Sequence, residues 1–206
     1  MNKIFKKNIF YISVSIILFV LIYHYFNITF KKNIEPMGNK NSSEKLNKSL
    51  VFISNLLNDN NIKNWFIGYG TLLGIIRDDS CIDGDDDIDI ICDLKDYNKI
   101  KLLLENNLPS ELKMVKKNFI KTQETNDLSS VDFYMANVDT LGNFNDTWEK
   151  VIWSDCYKNN KLIKKQWNSI TLNIPNNYET KLINRYGENW RIKQNNKGPK
   201  PRKKIL

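Results

Sequence analysis

Two short segments of the sequence combine residue types that suit phosphate chemistry. A glycine-rich segment runs from Gly68 to Gly74, and an acidic segment runs from Asp85 to Ile90. The backbone N–H groups of a glycine-rich turn can approach a phosphate closely, and carboxylates can hold the divalent cation that bridges it. The order of the two segments therefore predicts a metal-dependent nucleotidyl or phosphoryl transferase.

Carboxylates and isoleucines alternate along the acidic segment, which is typical of a strand with one buried face. Asp87 and Asp89 are expected on one face of that strand, with Ile88 and Ile90 in the core. Two carboxylates that lie close together do not both stay ionised unless a cation lies between them. Hard oxygen ligands at this spacing favour Mg²⁺ or Mn²⁺ as the cofactor.

A solvated acidic loop is the alternative interpretation. It would include Asp85 and Asp86, which are also candidate metal ligands. The apolar strand that follows these residues directly favours the metal site. An EF-hand calcium loop is excluded, because Cys81 and Ile90 stand where that loop needs oxygen ligands.

Three blocks of the sequence, taken in order, carry a resemblance to a known family. They are Gly70–Arg77 with Asp85–Ile90, Ser130–Tyr134, and Ile174–Tyr178 with Arg185–Trp190. This pattern resembles the signature of the LicD/fukutin (fukutin-related protein) family of nucleotidyltransferase-fold phosphotransferases. The resemblance extends from Trp65 to Trp190, which is most of the chain beyond its apolar N-terminal segment.

The resemblance implies an α/β (α+β) domain with the polymerase-β-like nucleotidyltransferase fold, in which helices flank a small mixed sheet. Members of the family move a phosphorylated alcohol, of phosphocholine or ribitol-phosphate type, from a CDP-linked donor to a hydroxyl of a glycan. CMP is the leaving group. The implied partners are therefore a CDP-linked small molecule and a glycan or glycoprotein acceptor, with Mg²⁺ or Mn²⁺ as the cofactor.

The resemblance also implies roles for individual residues. The residues assigned to catalysis and to the metal are Asp87, Asp89 and Asp132. The residues assigned to the donor phosphate are Gly70, Thr71 and Arg77. Asp132 is also a candidate to take the proton from the attacking hydroxyl.

Two of the phosphate-binding candidates have structural alternatives. Thr71 follows Gly70 in the position of a helix N-cap, and this role is compatible with phosphate binding. Arg77 can instead pair with Asp78 or Asp79 at the surface.

The elements that must position these residues are indicated by periodicity and turn signals. The predicted helices are Ser43–Asp59, Thr71–Ile76, Tyr97–Glu105 and Glu179–Tyr186. The predicted strands are Trp65–Gly68, Ile88–Cys92, Lys113–Lys121 and Val131–Ala136. Gly187 is expected to end the last helix.

The run from Ile9 to Phe26 is almost wholly apolar and, with a slight extension, predicts a transmembrane signal anchor over 9–30. A cleaved signal peptide is the alternative, but Tyr-His-Tyr-Phe at the end of the apolar run is a poor cleavage site. Three early lysines favour a cytosolic N-terminus, hence a single-pass type II membrane protein. In a eukaryotic host the catalytic domain would face the lumen of the ER or Golgi.

The predicted domain organisation has one folded unit. It comprises a short tail 1–8, the anchor 9–30, a flexible linker 31–45, the LicD/fukutin-like nucleotidyltransferase domain 46–192 and a basic disordered tail 193–206.

Charge is distributed unevenly along the chain. The formal net charge is +8, yet nine aspartates lie between Arg77 and Asp96. A focused acidic site in a basic protein suits a cation-dependent enzyme with an anionic donor. Nucleic acid is disfavoured as a partner, because no basic groove with interleaved aromatic residues is evident. The chain has one histidine, His24 in the apolar segment, which argues against histidine-based catalysis and zinc.

Two other functions remain open from the sequence. A glycosyltransferase with an Asp-x-Asp motif would share the anchor, the metal and a nucleotide-linked donor. It would normally need a larger donor domain ahead of the motif. A non-catalytic membrane scaffold of the same fold is the second alternative, and the presence of all three expected carboxylates disfavours it.

Overall fold

The computed structural model describes residues 41–193. The predicted tail 1–8, the anchor 9–30, most of the linker 31–45 and nearly all of the basic tail 193–206 lie outside the described residues and remain predictions. Within residues 41–193, no helix is long and apolar enough to cross a membrane.

The described part of the chain contains both helices and strands. The helices are α1 (Ser43–Asp59), α2 (Tyr69–Arg77), α3 (Tyr97–Asn107) and α4 (Tyr178–Tyr186). The strands are β1 (Trp65–Ile67), β2 (Asp87–Asp93), β3 (Leu112–Lys116), β4 (Phe119–Thr122), β5 (Ser130–Val138), β6 (Phe144–Asp146), β7 (Val151–Trp153), β8 (Ile163–Trp167) and β9 (Ile170–Ile174).

The main sheet is mixed, as predicted. Its strands follow the order β1-β2-β5-β4-β3, and β6 and β7 extend it from the end of β5. β2 and β5 are parallel, while the pairs β1–β2, β4–β5 and β3–β4 are antiparallel. β8 and β9 form a separate two-stranded sheet. The two central strands β2 and β5 carry the aspartates of the predicted site.

Helix α1 covers the apolar face of this sheet. The Ser42 side chain caps it by accepting a hydrogen bond from the backbone N–H of Lys45. Its buried residues recur every three or four positions; they are Leu46, Leu50, Ile53 and Leu57. Ile53 and Val131 line one small cavity, and Val131 pairs with Ile88 in the sheet. The helix therefore lies on the isoleucine side of β2 and leaves the carboxylate side open to other elements.

The main departure from the predicted elements is a hairpin. The sequence predicts one strand over Lys113–Lys121, whereas the structure has β3 and β4 joined by a turn at Lys117 and Asn118. Neither glycine nor proline marks this turn, so the apolar pattern of the two strands reads as continuous. The antiparallel return places Lys121 opposite Asp132 on β5.

Other predictions of elements are confirmed with small shifts of their ends. Helix α1 has the predicted bounds, and α4 ends at Gly187, whose φ of 90° lies in the left-handed region that glycine tolerates. Helix α2 begins at Tyr69, two residues earlier than predicted, with Gly68 at the N-cap position. The expected N-cap role of Thr71 is therefore wrong. The sequence analysis did not predict strands β6 to β9.

Candidate active site

The carboxylates of β2 and β5 meet on one face of the sheet. Parallel pairing places Asp89 opposite Asp132 and Asp87 opposite Ser130. Ile88 and Ile90 are fully buried on the other face, which confirms the predicted alternation. Asp89 and Asp132 are themselves buried, at 8% and 7% exposure. The three aspartates assigned from the sequence, Asp87, Asp89 and Asp132, thus form one group. Together with Asp85, which is described below, we call them the carboxylate group.

Asp89 is held by the glycine turn and by a neighbouring strand. The backbone N–H of Gly70 donates to Asp89 Oδ2 at 3.1 Å, and the Tyr134 hydroxyl donates to Asp89 Oδ1 at 3.1 Å. Thr71 Oγ1 accepts a hydrogen bond from the backbone N–H of Asp89 at 2.9 Å. Gly70 and Thr71, predicted to contact donor phosphate, therefore contact the carboxylate strand in this structure and fix its distance from α2.

Asp85 joins the group by lying against Gly70. A Cβ atom added at Gly70 would be 2.6 Å from Asp85 Oδ2 and 3.6 Å from Asp89 Oδ2. The absence of a side chain at Gly70 therefore makes the space for this carboxylate. Asp86, the other additional ligand candidate, is exposed on the loop that precedes β2.

Crowding and burial raise the proton affinity of these carboxylates. Burial, followed by the negative charge of Asp87, raises the pKa of Asp85 to about 7. The same causes raise the pKa of Asp132 to about 7 and the pKa of Asp89 well above its ordinary range. Several carboxylates that repel one another in a partly buried site are the environment in which a divalent cation binds favourably.

A lysine that the sequence analysis did not assign lies within the carboxylate group. Lys121 Nζ is 2.7 Å from Asp132 Oδ1 and 2.8 Å from Asp87 Oδ2. Although burial favours the neutral amine, hydrogen bonds to Asp132 and Asp87 raise the pKa of Lys121 above its ordinary value. No local signal marks this residue, because its position depends on the hairpin turn between β3 and β4.

Arg77 does not join the group. It lies in the last turn of α2, where its Nε donates to Asp78 Oδ1 at 3.1 Å and its guanidinium donates to Asp78 Oδ2 at 2.8 Å. This contact is the pairing with Asp78 that the sequence left open as an alternative, but both side chains are largely buried instead of lying at the surface. Hydrogen bonds from Arg77 lower the pKa of Asp78. The phosphate-binding role of Arg77 stays a prediction.

A second set of side chains surrounds the glycine turn and was not predicted. The Tyr69 hydroxyl donates to Asp146 Oδ2 at 2.7 Å, and the Arg185 guanidinium lies 4.7 Å from the centroid of the Tyr69 ring. Arg185 and Tyr186 of α4 line one small cavity with Tyr69, and burial, followed by the charge of Asp89, raises the pKa of Tyr186. These residues are far apart in sequence, so only packing brings them together.

One of the missed residues could have been found from the sequence. Tyr134 lies two positions after Asp132 on the same strand, so alternation places both side chains on one face. Its ring packs edge-on against Tyr69 at 5.0 Å and against Phe119 at 5.3 Å. Phe119 in turn stacks on Trp148 at 4.3 Å. A row of packed aromatic rings therefore leads from the carboxylate group to Trp148.

The donor set fits a hard divalent cation. It consists of carboxylate oxygens, which Mg²⁺ and Mn²⁺ prefer, in a partly buried site of mutually repelling groups. Across residues 41–193, however, no three His, Cys, Asp or Glu side chains are arranged as a ready metal site. The ammonium of Lys121 lies between Asp87 and Asp132 and contacts both carboxylates.

Comparison with known proteins identifies a matching family. The family model described as LicD/FKTN/FKRP, nucleotidyltransferase domain, matches residues 61–185 of this chain. The matched range contains β1, α2, the carboxylate group and most of α4. No curated protein gives a significant match.

Two solved structures show similarity to the chain. One is the lincosamide antibiotic adenylyltransferase LnuA, lincomycin-bound, with 15% identity and a TM-score of 0.45 over 64% of this chain and 81% of that chain. The other is the Elizabethkingia meningoseptica CdnE cyclic dinucleotide synthase with GTP and Apcpp. It has 15% identity and a TM-score of 0.38 over 78% of this chain and 62% of that chain.

Proposed function

This chain belongs to the LicD/FKTN/FKRP family through its nucleotidyltransferase domain, and we propose that it is a metal-dependent phosphotransferase. The proposed donor is a CDP-linked alcohol of phosphocholine or ribitol-phosphate type, and the proposed acceptor is a hydroxyl of a glycan or glycoprotein. The observation that carries this proposal is the meeting of Asp87, Asp89 and Asp132 on one sheet face beside the glycine turn.

The proposed reaction is a substitution at phosphorus. The acceptor oxygen forms a bond to the phosphorus of the transferred group, the bond from that phosphorus to CMP breaks, and CMP leaves with the electron pair. The hydroxyl proton goes to Asp132, whose carboxylate lies on the same sheet face as Asp87 and Asp89.

Other side chains act by holding charge in place. Asp87, Asp89 and Asp132 would hold Mg²⁺ or Mn²⁺, which when bound neutralises charge on the donor diphosphate. Gly70 orients Asp89 through its N–H, and Thr71 fixes the strand that carries Asp89. A carboxylate that is already oriented needs little rearrangement when the donor binds, which lowers the barrier of the reaction.

The proposed location of the enzyme follows from the N-terminal segment. The apolar segment 9–30 would anchor the chain as a single-pass type II membrane protein. In a eukaryotic host the domain would then meet glycan acceptors in the lumen of the ER or Golgi.

Donor binding by the full-length chain in detergent tests this proposal. CDP-choline and CDP-ribitol are titrated with and without Mg²⁺ or Mn²⁺, and transfer to a glycan is measured by release of CMP. The test variant is Asp87→Asn/Asp89→Asn. The matched control is Asp127→Asn, an exposed aspartate that pairs with Lys48 outside the carboxylate group.

We expect metal-dependent donor binding in the wild type and the control, and its loss in the double variant. Absence of donor binding by folded wild-type protein would contradict the proposed donor and favour a non-catalytic scaffold. Hydrolysis or transfer from a nucleotide sugar would instead favour the glycosyltransferase alternative.

A further inference from the structure

Lys121 is positioned by three strands. β4 pairs with β5 so that Lys121 lies opposite Asp132, and β5 pairs with β2 so that Asp132 lies opposite Asp89. Alternation places the Lys121 side chain on the same face as these carboxylates. The position of its ammonium is therefore set by the registers of the sheet.

The Lys121 side chain is also partly withdrawn from solvent. It is 19% exposed, and its carboxylate partners Asp87 and Asp132 are 14% and 10% exposed. Within residues 41–193, the carboxylate group makes two ion pairs, and Lys121 is the cation in both. A charge pair at this depth is screened less by salt than a surface pair.

The nearby arginines have other partners. Arg77 pairs with Asp78, and Arg185 lies over the Tyr69 ring and 3.8 Å from Glu149. Among residues 41–193, Lys121 therefore supplies the positive charge that is paired with the carboxylate group. A divalent ion placed between Asp87 and Asp132 would have to lie against this ammonium, and two like charges at contact distance repel strongly.

We propose that Lys121 is a resident cation of the carboxylate group, which fills the place between Asp87 and Asp132 and limits the site to one divalent ion. That ion is the one that Asp87, Asp89 and Asp132 would hold, through the carboxylate oxygens that Lys121 does not contact. The inference rests on the proposed function only in taking the group to be a divalent-metal site. It adds that the ammonium neutralises the Asp87 and Asp132 carboxylates in the place that a second metal ion would otherwise need.

Counting bound Mn²⁺ tests the inference without any measurement of transfer. Full-length protein in detergent is titrated with Mn²⁺, and free Mn²⁺ is measured by electron paramagnetic resonance. We expect one bound ion per chain for the wild type and two for Lys121→Met, which keeps most of the length of the side chain but removes its charge. Lys121→Arg keeps the charge and should restore one ion.

A matched control separates this effect from general loss of a lysine. Lys45 pairs with Glu124 at 2.7 Å and is 21% exposed, so its contact and exposure resemble those of Lys121. Lys45→Met should bind one ion. If Lys121→Met does not fold, Lys121→Gln takes its place, with folding monitored by circular dichroism.

Equal numbers of bound ions in the wild type and the Lys121→Met variant would overturn the inference, whether that number is zero, one or two. Two ions in the wild type would overturn it even without the variant. Failure of the proposed function has a different readout, which is the absence of donor binding or transfer. The number of bound Mn²⁺ ions can still be measured in that case. If the wild type transfers the group and binds two ions, the inference about Lys121 is wrong and the proposed transferase function stands.

Discussion

Asp89 is the most constrained carboxylate of the candidate site. Gly70 and Tyr134 each donate to one of its oxygens, and its backbone N–H donates to Thr71. Asp87 is held differently. In residues 41–193, the hydrogen bond that its carboxylate accepts comes from the ammonium of Lys121. Asp87 therefore contributes mainly charge, whereas Asp89 also contributes to the packing of α2 against β2.

Replacing Asp87 with asparagine is expected to abolish transfer and leave the domain folded. The amide removes a charge that the metal requires, so the rate should fall by about 100-fold or more. Because the Asp87 charge contributes to raising the pKa values of Asp85, Asp89 and Asp132, repulsion in the group is also relieved.

CMP release and circular dichroism of the Asp87→Asn variant provide the two measurements. The exposed Asp127→Asn variant is the control and should retain both properties. Retained transfer in folded Asp87→Asn would refute the assignment of Asp87 to the catalytic group.

The Tyr69–Asp146 hydrogen bond predicts a stability effect that does not depend on the proposed function. Asp146 is fully buried, and Tyr69 is 5% exposed with φ of 39°, a left-handed conformation that is uncommon for tyrosine. In Tyr69→Phe the Asp146 carboxylate loses a buried donor, which should lower the free energy of unfolding by about 1–3 kcal/mol.

Urea unfolding measures this change. Tyr157→Phe is the matched control, because the Tyr157 hydroxyl donates to Asn64 at 3.3 Å in a less buried position. It should lower the free energy of unfolding by less than Tyr69→Phe does. Equal effects of the two variants would show that the Asp146 contact has no special energetic role.

Helix α2 connects the carboxylate group to the loop before β2 through two glycines. A Cβ at Gly74 would lie 2.6 Å from the backbone oxygen of Ser80 and 3.0 Å from the backbone nitrogen of Ile82. A Cβ at Gly70 would meet the end of the Asp85 side chain at 2.6 Å. The contacts at Gly74 are with backbone atoms, which cannot move independently. The contact at Gly70 is with the Asp85 side chain, which can rotate away.

Alanine at these two positions should therefore have different effects. Gly74→Ala is expected to lower the free energy of unfolding by about 1–3 kcal/mol, because the loop that carries the acidic segment must shift. Gly70→Ala should destabilise the protein less but reduce donor binding, since Asp85 must leave its place beside Asp89. Thermal unfolding and donor titration of both variants distinguish the two effects, and wild-type stability of Gly74→Ala would contradict the packing described for α2.

At the scale of the whole molecule, the sheet gathers negative charge at one place. Asp85, Asp89 and Asp132 all have raised pKa values because burial and mutual repulsion disfavour their ionised forms. An unfolded chain releases these protons near the ordinary value of 3.8, whereas the folded chain holds those of Asp85 and Asp132 until about pH 7. Ionisation of the group therefore opposes folding.

Without a divalent ion, the free energy of unfolding is expected to fall as the pH rises from about 4 to about 7. In that range the folded state binds more protons than the unfolded state, so raising the pH favours unfolding. The lowered pKa of Asp78 acts in the opposite direction, but below this range.

Urea unfolding of the full-length chain at a series of pH values measures the slope. Asp85→Asn should flatten it, and saturating Mg²⁺ or Mn²⁺ should restore stability at pH 7, since a ligand that binds the folded state stabilises it. Stability that rises through this pH range without metal would contradict the crowding described for the carboxylate group.

The local features of this protein could be predicted from its amino-acid sequence. Alternation of aspartate and isoleucine placed Ile88 in the core and Asp89 on the opposite face, and periodicity gave the bounds of α1. Gly187 ended α4 because its left-handed conformation is one that glycine adopts without strain. The ordered blocks around these residues also indicated the family that the family model matches.

Tertiary packing determines which distant side chains meet. Lys121 enters the carboxylate group because a turn without glycine or proline reverses the chain between β3 and β4. Tyr69 and Asp146, 77 positions apart in sequence, are joined by packing of separate elements. Periodicity and caps act over a few residues, whereas strand register and side-chain partners depend on the free energy of the whole packed domain. The aspartates could therefore be found from the sequence, and the cation between them could not.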